Sequence, residues 1–139
     1  MAESAELFVE QFQEMWRAPT PEGFAALFQE DGHFKHPEMP QPLPASAAQG
    51  YMQAVLEVIP DLSLRLRHAA HTDDVVMLEW TQSGTVAGQA INWDGADRFT
   101  LHDGLAVEGV AYFDPRPVLA ALEIDPGEAL SQLGSSVNA

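Results

Sequence analysis

Residues 75–113, VVMLEWTQSGTVAGQAINWDGADRFTLHDGLAVEGVAYF, carry the pattern of a strand meander. Val75 to Val86 is rich in β-formers, among them Met77, Trp80 and Thr81. Gly84 to Gly88 provides a connection, and Ile91 to Leu101 reads as the next strand, with a bend or bulge expected at Asp94-Gly95. His102-Asp103-Gly104 is a strong hairpin turn, because Gly104 tolerates positive φ. Leu105 to Phe113 forms the last strand, and Asp114-Pro115 stops it. Pro117 to Leu122 has room for a short helix. Upstream, Leu62, Leu64 and Leu66 alternate with Ser63, Arg65 and Arg67, the period of a half-buried strand, and Thr72-Asp73-Asp74 turns the chain into the meander.

The period is different before residue 60. Leu7, Phe8, Phe12, Met15 and Trp16 recur at helical spacing between Glu6 and Arg17, opposite a face of Glu and Gln. Thr20 caps a second helix, with Pro21 at its first position, where the missing N–H costs nothing. Phe24, Leu27 and Phe28 give that helix an apolar face, and it is expected to end near Glu30-Asp31-Gly32. His33 to His36 reads as a short strand. Pro37, Pro40, Pro42 and Pro44 then impose a stiff, irregular loop. Ser46 is the expected cap of a third helix running to about Ile59, with Tyr51, Met52, Val55, Leu56 and Ile59 on its buried face. Helices segregated ahead of strands indicate an α+β fold. Three helices on the concave side of a bent sheet would enclose an apolar cone, a natural small-molecule pocket.

The chain has 139 residues, a length that suits one domain with a full core. That domain is expected to occupy residues 1–125, with 126–139, small and polar, as a flexible tail. The absence of cysteine removes thiolate nucleophiles, iron–sulfur clusters and disulfide scaffolds. Six Lys and Arg stand against 21 Asp and Glu, a formal net charge of −15. No basic stripe exists to neutralise a phosphate backbone, and the same field repels anionic membranes. An apolar or weakly polar organic molecule is the easier partner. The acidic N-terminus does not read as a secretory signal, and no stretch approaches a membrane span, so a cytoplasmic location is expected.

Certain motifs and their order resemble the nuclear transport factor 2-like superfamily, which includes the ketosteroid isomerases, and within it the SnoaL-like polyketide cyclase group. They are Phe34-Lys35-His36-Pro37 with Met39-Pro40, Ile59-Pro60-Asp61-Leu62, Val76 to Trp80 with Gly84-Thr85, Asp97-Arg98-Phe99 before His102-Asp103-Gly104, and Tyr112-Phe113-Asp114-Pro115. The resemblance implies a cone-shaped barrel of a curved, mostly antiparallel sheet wrapped around three N-terminal helices. It also implies a homodimer through the outer sheet face. Function follows less closely, because the superfamily holds cyclases, isomerases, epoxide hydrolases and domains without catalysis.

Three residues are candidates for catalysis. Asp97 shares a strand face with Phe99 and Leu101, and apolar neighbours raise a carboxyl's pKa toward the range useful for acid/base work. SnoaL-like cyclases place an acidic acid/base on this strand, and ketosteroid isomerases use a protonated carboxyl from a comparable one. A pairing with a nearby Arg, or a cap for a bend after Gly95, is the plainer role. His36 offers an imidazole at the position where ketosteroid isomerases carry a carboxylate base, a departure from that pattern; its plainer role is to tie down the proline loop. Asp114 matches the aromatic-aromatic-Asp ending of the superfamily's epoxide hydrolases, but the strand reads Glu79-Trp80-Thr81-Gln82 where they carry an Arg-x-Asp pair. Asp114 is therefore read chiefly as a cap.

Trp16, Phe34, Met39, Tyr51, Trp80, Phe99 and Tyr112 are the expected pocket wall, with Trp16 or Tyr112 polarising a ligand oxygen. His33-x-x-His36 and His68-x-x-His71 put their two rings on opposite sides of a strand, so no metal site is expected. No phosphate-binding loop or G-x-S-x-G motif is present, and the chemistry expected is cofactor-free cyclisation or isomerisation beside a carbonyl. A non-catalytic ligand-binding or dimeric accessory domain is the alternative, and an epoxide hydrolase-like enzyme the third.

Overall fold

The structure is a computed structural model that describes residues 2–122; the expected tail at 126–139 lies outside them. Helix α1 (Ala2–Arg17) buries Phe8, Phe12 and Met15 of the row its spacing predicts, and Ala5 beside them. Leu7, expected with them, faces outward at 58% exposure, because it sits one position off that row. Thr20 Oγ1 accepts from the Gly23 N–H at 2.9 Å and opens α2 (Pro21–Ala25).

Helix α2 is shorter than its apolar face suggests. The chain is already extended at Phe28, where β1 (Phe28–Lys35) begins. Phe28, Gly32 and Phe34 are its buried positions, so an aromatic face that reads as helical belongs half to a strand. The proline loop holds a two-residue strand, β2 (Leu43–Pro44), and one 3-10 turn, Ala45–Ala47. Helix α3 (Ala48–Val58) follows directly and takes no side-chain cap from Ser46; the 3-10 turn supplies the approach instead.

Strands β3 (Ser63–Thr72), β4 (Val75–Val86), β5 (Gln89–His102) and β6 (Leu105–Phe113) form the meander. The sheet order is β2-β1-β6-β5-β4-β3, curved and not closed, antiparallel except where β1 runs beside β6. Two turns have both central residues at positive φ, Ala87-Gly88 (50° and 82°) and Asp103-Gly104 (51° and 82°), which fits the right-handed twist of tight hairpins. No bulge occurs at Asp94-Gly95, because β4 and β5 stay in register from Val75 opposite Thr100 to Val86 opposite Gln89. The register breaks between Leu66 and His68, and between Thr100 and Leu101. Helix α4 (Arg116–Leu122) adds a fourth helix near the expected position.

The core runs from α1 to the concave face of the sheet. Phe99 meets Phe8 at 4.9 Å and Phe12 at 5.9 Å between ring centroids. Phe24, Phe28, Phe34 and Tyr51 form a second aromatic cluster beside it. No helix among the described residues is long and apolar enough to cross a membrane.

Candidate functional site

The two clusters do not fill the concave face. A cavity of about 390 Å³ remains, bounded by α1, α3 and α4 and by the inner sides of β3 to β6. Its wall is mostly aromatic and aliphatic, and its charged or ionisable residues are His36, Glu38, Tyr51, Glu57 and Asp97. Among the described residues no Lys or Arg lines it.

Asp97 reaches the cavity because β5 alternates. Asp97 sits opposite Leu78 on β4 and Ala111 on β6, so all three share the concave side, as do Phe99 and Leu101. Its carboxyl has lost most of its water. Burial pushes its pKa up to about 6, against smaller opposing influences from His36 and the Trp80 indole N–H. Trp80 Nε1 still makes no hydrogen bond of normal geometry and is sealed from solvent. Asp97 is therefore not paired with an arginine, the plainer role open to it from sequence. Arg98, one position on, faces the other way and binds Glu108 at 2.7 Å on the outer side of the sheet.

His36 stands at the other end of the polar lining. Its Nδ1 lies 2.7 Å from the Tyr51 hydroxyl, which donates to Glu38 Oε1 at 2.8 Å. The His36 and Tyr51 rings meet edge to face at 5.1 Å. Burial works against the charge on Glu38, but hydrogen bonding and attraction from His36, together with Tyr51, outweigh it and hold the carboxyl below its usual range. Burial, then the nearby charge of Glu38, push the Tyr51 phenol well above its ordinary value.

Trp16, Phe34, Tyr51, Trp80 and Phe99 line the cavity as expected. Tyr112 does not. It pairs with Ala96, one step out of phase with Asp97 and Ala111, and lies on the outer face at 52% exposure. Met39 is buried behind the wall, where its sulfur accepts the His36 N–H at 3.4 Å. Asp114 is outside the cavity: it accepts from the Arg116 backbone N–H at 3.0 Å and pairs with that residue's guanidinium at 2.7 Å. This is the capping role.

Glu38, Gln82 and Trp93 also line the cavity and were not anticipated. Glu38 carries a signal, the one acid in the proline-rich stretch 37–44, two residues past His36. Among the described residues no group of three or more His, Asp or Glu is placed to hold a metal. His33 faces Glu108 at 3.4 Å and His68 faces Glu79 at 2.6 Å, each away from its neighbour in the His-x-x-His spacing.

The SnoaL-like domain family matches residues 9–109, most of the described chain. The protein belongs to this SnoaL-like family. No curated protein matches it by sequence. Solved structures share the SnoaL-like domain's nuclear transport factor 2-like fold at low identity. AclR from Streptomyces galilaeus, a candidate hydroxylase, superposes with a TM-score of 0.75 at 21% identity, over 88% of this chain and 97% of that one. An NTF2-like protein from Burkholderia pseudomallei gives 0.77 at 14%, over 86% and 97%. IdmH from Streptomyces antibioticus, a candidate polyketide cyclase, gives 0.72 at 18%, over 86% and 99%.

Proposed function

We propose that this SnoaL-like protein binds a small, largely apolar organic molecule in its cavity and moves a proton beside a carbonyl group, as in cyclisation or isomerisation. The observation that carries this is Asp97, a buried carboxyl in a mostly apolar wall with its pKa pushed up to about 6. At neutral pH such a group is mostly ionised yet poorly solvated, a state suited to removing a proton from carbon. The C–H bond breaks, an O–H bond forms on Asp97, and the electron pair moves onto the carbonyl oxygen. Asp97 then returns the proton elsewhere on the same molecule, so no further reagent is consumed. His36 assists from the same cavity.

The test is proton exchange. A panel of aryl ketones and 1,3-diketones in D₂O, followed by NMR, should show protein-dependent deuteration next to the carbonyl, lost in Asp97→Asn. Tight binding with no exchange above buffer for any member would favour the accessory-domain reading instead, which the aromatic wall also suits. Epoxide hydrolysis is not adopted, since Asp114 stands outside the cavity and no Arg-x-Asp pair faces it.

The same reading includes a homodimer through the outer sheet face. Met77 and Tyr112 are exposed there at 41% and 52%, beside Ala96 and Val110 in the adjoining rungs. Arg98 stands between Met77 and Val110 on this face, paired with Glu108, so the face joins apolar side chains to a central ion pair.

A further inference from the structure

Tyr51 has one phenolic proton, and its oxygen contacts both Glu38 Oε1 and His36 Nδ1. The Tyr51 hydroxyl donates that proton to Glu38 Oε1 at 2.8 Å, so towards His36 its oxygen can only accept. The contact with His36 is then a hydrogen bond only if Nδ1 carries the proton and donates to the Tyr51 oxygen. A neutral imidazole has a single N–H, which leaves Nε2 as a bare lone pair. Among the described residues Nε2 has no hydrogen-bond partner, and it is not one of the sealed orphan atoms, which are Trp16 Nε1, Glu38 Oε2 and Trp80 Nε1. It is an acceptor open to the cavity that His36 lines.

We propose that His36 Nε2 is an acceptor subsite selecting ligands that carry a phenolic or enolic hydroxyl, and that Tyr51 and Glu38 are positioning residues that fix the tautomer. This rests on the reading that the cavity binds an apolar organic molecule. A hydroxyl donates to Nε2. An ether or carbonyl oxygen at the same place sets lone pair against lone pair and loses the bond. No Lys or Arg among the described residues lines the wall, so no charged donor competes for Nε2.

Two measurements test this. The first is the ¹⁵N spectrum of the neutral His36 ring in the whole protein. Nδ1 should show the protonated, pyrrole-like resonance and Nε2 the bare, pyridine-like one. Tyr51→Phe removes the acceptor for Nδ1 and should abolish that assignment. Glu38→Gln keeps an acceptor oxygen for Tyr51 and should preserve it, while Glu38→Met should lose it; this pair decides the matter if Tyr51→Phe fails to fold. A wild-type ring protonated at Nε2, or identical spectra for Glu38→Gln and Glu38→Met, overturns the proposal.

The second measurement is calorimetric titration with 2-naphthol, 2-methoxynaphthalene and naphthalene. Wild type should prefer 2-naphthol over its methyl ether by about tenfold, and the preference should fall to near unity in Tyr51→Phe. Equal binding of naphthol and ether by wild type overturns the subsite but leaves the cavity's role standing. Failure of all three probes counts against the cavity reading, and the spectra then decide the tautomer alone.

Discussion

Trp80 and Gly95 face each other across β4 and β5, and the missing side chain of one is the space filled by the other. A Cβ on Gly95 would lie 2.5 Å from Trp80 Cη2 and 2.8 Å from the Tyr112 carbonyl oxygen. Gly95 is thus kept small by close approach rather than by a turn or bulge. Trp80 in turn places its N–H beneath Asp97.

Gly95→Ala should therefore be destabilising, by about 1–3 kcal/mol for forced overpacking, despite the gain in β-propensity. Urea unfolding at neutral pH measures it. An unchanged midpoint would mean that Trp80 moves freely, and the indole would then not be a fixed part of the cavity wall.

Asp97 predicts an unusual dependence of stability on pH. Its folded pKa of about 6 lies above the ordinary 3.8, so between those values the folded state holds the proton more tightly than the unfolded state. The contribution to stability is full below the unfolded value and is lost as pH rises through about 6. The loss amounts to roughly 3 kcal/mol by neutral pH, to order of magnitude. Asp97→Asn removes the titration, so the variant should gain on wild type as pH rises from about 4 to about 8. Unfolding of both proteins across that range gives the difference directly. A flat difference would place the carboxyl in water.

Much of this was legible in the sequence, for physical reasons that differ by element. The β4–β5–β6 meander was plain because tight turns demand Gly at positive φ and strand period shows which residues share a face; both signals are local. The same parity sets Asp97 on the face of Phe99 and Leu101. That rule, carried across to β6, puts Ala111 and Phe113 inside and Tyr112 outside, but the register between strands is a tertiary fact that the sequence states only weakly. The Phe24 to Phe34 stretch misled because aromatic residues recur at spacings that suit a helix and a strand alike. Glu38 escaped notice because its burial depends on Tyr51, thirteen residues away on another element.

The outer face of the sheet gives a third expectation. If two copies pair there, burying Tyr112 and Met77, then Tyr112→Asp sets a charge into an apolar contact and should shift the protein toward monomer. Sedimentation velocity at micromolar concentration reads this, with Leu7→Asp as the control, since Leu7 is as exposed but lies on α1. Dissociation by both variants, or by neither, would remove the sheet face from the interface.

The pH profile of exchange ties Asp97 to chemistry rather than to stability alone. As the base, Asp97 acts only when ionised, so deuteration beside the carbonyl should rise with pH and level off above about 6. Asp97→Asn should lower the rate by about 10²–10⁴ and remove that inflection together. His36 contributes a second group at the same site, so His36→Gln is the companion variant: it should slow exchange while an inflection from Asp97 remains. A profile that keeps its inflection near 6 in Asp97→Asn would assign the titration to another group and take Asp97 out of the mechanism.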